Sequence, residues 1–215
     1  MEVILLPLIQ GIGQSGSALA SWAFDNVNPV KHAANVAAKV GCELAESHDL
    51  LVDCLRLVPA ANISKAFKDY SLEDRAAGGM GFGGSIPCSQ TKGAQKFYTA
   101  EQTPEKLLHS GQYEKVPIMF GANSNEGSFV YATVYNDYFV PNSLQNNTDF
   151  LRKDLTHQLL QAVEISNSYP VEYLVEQEYF ESWQLGSLDA MRPGIIDMLG
   201  TFFLKVCVTI VTNLM

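Results

Sequence analysis

Two short apolar runs, Val3 to Ile9 and Val116 to Phe120, limit what this chain can fold into more than any other feature. Neither alternates apolar with polar residues, so neither suits a sheet with one wet face; unbroken runs of this kind fit parallel strands covered on both faces. Parallel strands require crossover connections, usually helices, and helical patterns fill the sequence around both runs. The class is therefore α/β, and the chain is mostly helical after residue 148. Two core strands in 215 residues are few for a parallel sheet, in which each strand needs neighbours at both edges.

The helix signals are local and specific. Asn28-Pro29 offers an N-cap and a proline at the first helical position, Val30, Ala33, Ala34, Ala37 and Val40 keep helical spacing, and Gly41 supplies the stop. A second helix is expected from Ser47, with Leu50, Leu51, Cys54 and Leu55 on one side. Gly78 to Gly93 carries six glycines and one proline and reads as an irregular loop. Thr103-Pro104-Glu105 opens a short helix closed by Gly111, and the helices beyond Thr148 are expected to break at Pro170 and Pro193.

Charge excludes one class of partner. With 14 Lys and Arg against 23 Asp and Glu, the net charge is −9, which supplies phosphate neutralisation poorly and argues against nucleic acid. Between Asp154 and Met191 stand seven carboxylates and no Lys or Arg, the pattern of solvated helix faces. The four cysteines, Cys42, Cys54, Cys88 and Cys207, form no C-x-x-C spacing, so neither structural zinc nor another metal is expected. The apolar start lacks the basic flank of a signal peptide. The last 18 residues approach membrane-span length, but Gly200, Lys205, Thr209, Thr212 and Asn213 dilute them.

Two glycine motifs follow the first apolar run, and both fail on context. Gly11-Ile12-Gly13-Gln14-Ser15-Gly16 matches G-x-G-x-x-G, yet residues 25 to 41 show no second strand with an acidic end, so neither dinucleotide nor other cofactor is called for. Gly13-Gln14-Ser15-Gly16-Ser17 approaches the nucleophile elbow G-x-S-x-G, but a Cβ at the last position would crowd that turn. Ser15 is read as structural.

A family resemblance accounts for these near misses. The blocks IQGIGQSGSALASWAF (9 to 24), KVGC (39 to 42), VDCLR (52 to 56), PEKLLHSGQYEKVPIMFGANSNEGSF (104 to 129) and GIIDMLGTFFLK (194 to 205) resemble, in order, the type-B carboxylesterase/cholinesterase family. The resemblance implies the central-to-late portion of an α/β-hydrolase fold, a single partial domain over residues 1–215. It places Ser15 after the nucleophile elbow, as a non-catalytic serine, with the nucleophile upstream and the catalytic histidine downstream. Glu126, five residues past Gly121, matches the family's acid position. His32, His48, His109 and His157 lie in the wrong blocks for the catalytic base and are read as surface or cap residues. Residues 1–8 and 206–215 depart from the family pattern and are expected to be atypical, the latter as read-through at a gene-model boundary.

The resemblance also implies a disulfide between Cys42 and Cys54, hence an oxidising compartment. Asn62-Ile63-Ser64 and Asn146-Asn147-Thr148 are glycosylation sequons on loop-like stretches, in keeping with a secreted or extracellular origin. Two parents are compatible with these features. One is a carboxylic ester hydrolase acting on an ester substrate; the other is an adhesion protein of the neuroligin and gliotactin branch, with a protein ligand and membrane attachment. The 215 residues alone are expected to be catalytically incompetent.

Overall fold

The computed structural model describes residues 9–20, 22–24, 29–42, 48–79, 81, 86–89, 102–162, 165 and 168–214. Two strands, β1 (Gly11–Gln14) and β2 (Ile118–Gly121), pair in parallel with Gly11 opposite Ile118 and Gln14 opposite Gly121. β1 begins past the first apolar run, and β2 keeps the last three residues of the second. Residues 3–8 lie outside the described residues, Ile9 is 83% exposed and precedes β1, and β2 starts two residues after Val116. The reason is the glycine motif itself. A Cβ on Gly13 would lie 2.4 Å from the Phe120 ring, so bare backbone on β1 makes room for that side chain. A run that pairs through glycine carries no apolar signal to read.

The helices α1 (Pro29–Ala38), α2 (His48–Leu57) and α3 (Ala60–Ala76) form the first layer. Gly41 ends the α1 segment with φ +82°, a conformation that favours glycine. Ala37, Cys42 and Leu51 make a small core backed by Val40, Cys54, Leu55 and Val58. The expected stripes are rotated slightly: Val30 and Leu50 are exposed, while Val36 is buried. At about 100° per residue Leu50 falls at the margin of the arc set by Leu51, Cys54 and Leu55. Asn62 does not lie in a loop. It sits in the first turn of α3, where Pro59 presets the entry and its carbonyl accepts from the Asn62 N–H.

The short helix α4 (Pro104–His109) keeps its expected cap, with Thr103 Oγ1 accepting from the Lys106 N–H at 3.3 Å. The main core gathers α5 (Gly127–Val134), a π-helical turn π1 (Tyr135–Phe139), α6 (Thr148–Lys153), α7 (Leu155–Ala162), α8 (Tyr169–Tyr179) and α9 (Leu188–Gly200). Its completely enclosed side chains include Phe139, Leu155, Leu160, Met191 and Ile195. Burying each of these removes about 1.5–3 kcal/mol worth of apolar surface from water. Arg75 of α3 bridges the two cores by pairing with Asp137 at 2.9 Å.

Pro170 opens α8, but Pro193 does not end α9. It lies on the exposed side of the second turn, where water can replace the missing amide donor. The helix continues through a second π turn, π2 (Thr201–Lys205), into α10 (Val206–Leu214). Leu188–Asn213 is long and apolar enough to cross a membrane, with a mean hydropathy of 1.9 in its most apolar stretch. Here Met191, Ile195, Met198, Leu199, Phe203 and Leu204 pack instead into the protein core.

Candidate functional site

The parallel ladder ends where β1 and β2 release their chains together. The Ser15 N–H donates to the Gly121 carbonyl at 2.8 Å, and Ser15 then turns with φ +63°, followed by Gly16 at φ +123°. The second glycine is required twice over, because a Cβ there would also meet the Trp22 ring at 2.8 Å. This turn aims the Ser15 hydroxyl across the strand ends. Its Oγ donates to Glu126 Oε1 in a short hydrogen bond.

Glu126 arrives from the other strand. After Gly121 the chain makes a turn over residues 124–126 and enters α5, and the Glu126 side chain folds back so that Oε1 accepts from the Asn123 N–H at 2.9 Å. Glu126 itself stands at the N-cap of α5, so its carboxylate lies at the positive end of the helix dipole. The Asn123 side-chain Nδ2 donates to the same oxygen at 2.9 Å. Among the described residues every donor to Glu126 reaches Oε1, and none reaches Oε2. The Ser15 hydroxyl first, then the Asn123 amide, hold the Glu126 carboxyl below the ordinary carboxylate range; the distant positive charge of Lys205 adds a little.

The base under this carboxylate is rigid. Gly127 packs directly on the backbone of α9: a Cβ there would lie 1.8 Å from the Ile196 carbonyl oxygen and 2.6 Å from the Gly200 nitrogen. Gly200 returns the contact, since its own Cβ would be 3.0 Å from the Gly127 nitrogen. Two glycines thus bring α5 and α9 to backbone contact one residue away from Glu126. A carboxylate held in one direction needs this kind of support.

The other sequence-predicted residues lie elsewhere. Cys42 and Cys54 form a disulfide with Cα atoms 5.8 Å apart, joining the α1 C-terminal turn to α2. Cys88 is an exposed free thiol; Cys207 is buried, and burial pushes its thiol up from the usual cysteine range. Asn62 and Asn146 are both exposed, Asn146 in the turn before α6, whose cap is Asn147. Among the described residues the donors to Glu126 are Ser15 and Asn123, and no histidine joins them: His157 pairs with Glu172 at 2.7 Å, linking α7 to α8, and His109 is exposed at the end of α4. Among the described residues no group of three or more His, Cys, Asp or Glu could hold a metal ion. Asn123 is the site residue that the sequence analysis passed over. Its signal was an amide side chain three residues before the glutamate, in the turn ahead of an apolar helix, close enough in sequence to reach the same carboxylate.

Residues 8–215 match the signature of the Carboxylesterase family. The chain belongs to the carboxylesterase family. The match runs through residue 215. Among curated relatives, mouse Neuroligin-3 is 35% identical over 118 residues, covering 55% of this chain, and human Neuroligin-2 is 29% identical over the same length. Juvenile hormone esterase of Tribolium castaneum is 31% identical over 157 residues, 70% of this chain. The matched segments span 12% of the neuroligins and 25% of the esterase. Within a carboxylesterase-family chain, the small parallel sheet and its helices form part of the α/β-hydrolase architecture.

Proposed function

We propose that this chain carries the acid of a carboxylic ester hydrolase triad, Glu126, with the serine nucleophile and catalytic histidine supplied by sequence outside residues 1–215. The observation that carries this reading is the carboxylate at the end of the turn after β2, which accepts from Ser15 and Asn123 at Oε1 and, among the described residues, from no donor at Oε2. In such a triad the acid accepts a hydrogen bond from the histidine, fixes its tautomer and stabilises the imidazolium formed when the serine gives up its proton. A carboxyl held below its ordinary range stays ionised for that role. The 215 residues alone then hydrolyse carboxylic esters no faster than their Glu126→Gln variant. In the complete protein that substitution lowers kcat by roughly 10³–10⁴-fold.

A second reading is an extracellular binding module without hydrolase activity, favoured by the 35% identity to Neuroligin-3. Its ligand would be a protein, and its parent would be attached to a membrane. The Cys42–Cys54 disulfide supports a secreted or extracellular location under either reading. Ester turnover by the complete protein separates the two. Turnover lost in Glu126→Gln supports the hydrolase; no turnover above buffer, in a protein whose upstream sequence lacks G-x-S-x-G, leaves the binding module. Glu126-dependent turnover by residues 1–215 alone would overturn the partial-triad reading.

A further inference from the structure

We propose that Asn123 is a positioning residue for the Glu126 carboxylate: together with Ser15 it fills Oε1 and so leaves Oε2 as the oxygen that meets an outside donor. This rests on the reading of Glu126 as a triad acid, but its geometry stands on this chain alone. A glutamate side chain has three rotatable bonds, and a carboxylate has acceptor sites on both oxygens. One hydrogen bond would leave either oxygen able to turn toward the donor. Here three donors from two segments converge on Oε1: Ser15 Oγ from the end of β1, and the Asn123 main-chain and side-chain nitrogens from the turn after β2.

The two Asn123 donors differ in what they require. Any residue other than proline at 123 supplies the main-chain N–H, so that hydrogen bond alone does not select asparagine. The Nδ2 donor needs an amide of this length at this place. It adds a contact perpendicular to the role of a cap, since it holds the carboxylate rather than the helix. Ser15 approaches from 111 residues away in sequence, so the two side chains clamp Oε1 from different strands. Lys205 at the end of π2 also helps hold the Glu126 carboxyl down, less than the hydrogen bonds do, and is itself paired with Asp197 at 3.0 Å. The carboxylate is therefore directed by neutral donors, which fix direction without competing as counter-ions.

The test is a carboxyl ¹³C titration of the 215-residue chain, with the Glu126 signal assigned by its loss in Glu126→Gln. Wild type titrates below the ordinary glutamate range. Asn123→Ala shifts the midpoint upward, Asn123→Asp shifts it further because a second carboxylate faces the first, and Asn123→Ser falls between wild type and Asn123→Ala. Asn142→Ala is the control. The Asn142 Nδ2 donates to the Ala76 and Tyr138 carbonyls, and its loss leaves Glu126 unmoved. Far-UV circular dichroism at each pH confirms that the variants are folded. A wild-type midpoint in folded Asn123→Ala and Asn123→Asp overturns the proposal. Ester turnover of the complete protein is a separate readout. If it does not depend on Glu126, the triad reading falls while the positioning of the carboxylate by Asn123 stands.

Discussion

Gly127→Ala is the sharpest perturbation the structure offers. The new methyl would sit 1.8 Å from the Ile196 carbonyl oxygen and 2.8 Å from its carbon, against favourable separations of about 3.5–4.0 Å. Both groups are backbone inside helices, so no side chain can swing aside, and α5 must lift from α9 by about 1.5 Å to relieve the clash. A gap of even 1 Å forfeits a quarter to a half of each contact energy, and Val130, Ile195 and Leu199 all lie at this crossing with 1% exposure or less. Overpacking of this kind costs typically 1–3 kcal/mol; with backbone on both sides we expect about 3 kcal/mol or more. Urea unfolding followed by circular dichroism reads this as a midpoint lowered by about 1–1.5 M. Two other glycines calibrate the result. Gly121 has no atom within 4 Å of a built Cβ, so Gly121→Ala stays within about 0.5 kcal/mol of wild type. Gly111 is equally open but has φ +68°, so Gly111→Ala costs about 1–2 kcal/mol from conformation alone. A Gly127→Ala protein as stable as the Gly121→Ala protein would refute the close crossing and the rigid base assigned to Glu126.

Three further outcomes are expected. Closing the Cys42–Cys54 loop is worth about 3 kcal/mol in the chain-entropy model, so reduction should lower stability by that order; peptide mapping of a non-reduced digest that finds both thiols free in folded protein would contradict the bridge. Alkylation should reach Cys88 well before Cys207, because Cys207 is buried and its thiol is pushed up; equal rates measured by mass spectrometry would show that α10 does not hold Cys207 against the rest of the protein. The Glu126 carboxyl is depressed in the folded protein, so its contribution is present above the unfolded glutamate value near pH 4.3 and is lost as pH falls through the lower folded value. Glu126→Gln should therefore lose that contribution at neutral pH and flatten the acid limb of a stability profile, so that variant and wild type converge as pH falls below the folded value. An unchanged acid limb would mean that the hydrogen bonds from Ser15 and Asn123 are absent in solution.

Local signals were legible wherever one residue type has one structural use. Pro29, Thr103-Pro104 and Gly41 mark helix ends because proline presets φ, threonine caps and glycine accepts a left-handed turn, and each needs only its neighbours. Ordered blocks of family sequence indicated the class, the disulfide pair and the carboxylate at 126. β1 was not legible as a strand because it pairs through glycines, whose fit against Phe120 depends on a partner more than 100 residues away. Pro193 was misread as a break because its cost depends on which side of the helix meets water. The seven-carboxylate run named residues but not partners; only folding sets Glu172 against His157.

The sequence by itself determined the α/β class, the helix caps, the family and the identity of the candidate acid, all carried by residue type and short-range spacing. The tertiary structure alone decided that Ser15, the apparent failed nucleophile, and Asn123 converge on one oxygen of Glu126. It also decided that Gly127 and Gly200 let two helix backbones touch beneath that carboxylate. Hydrogen-bond direction and close packing are properties of atoms brought together from distant segments, and no local pattern along the chain encodes the ångström on which they depend.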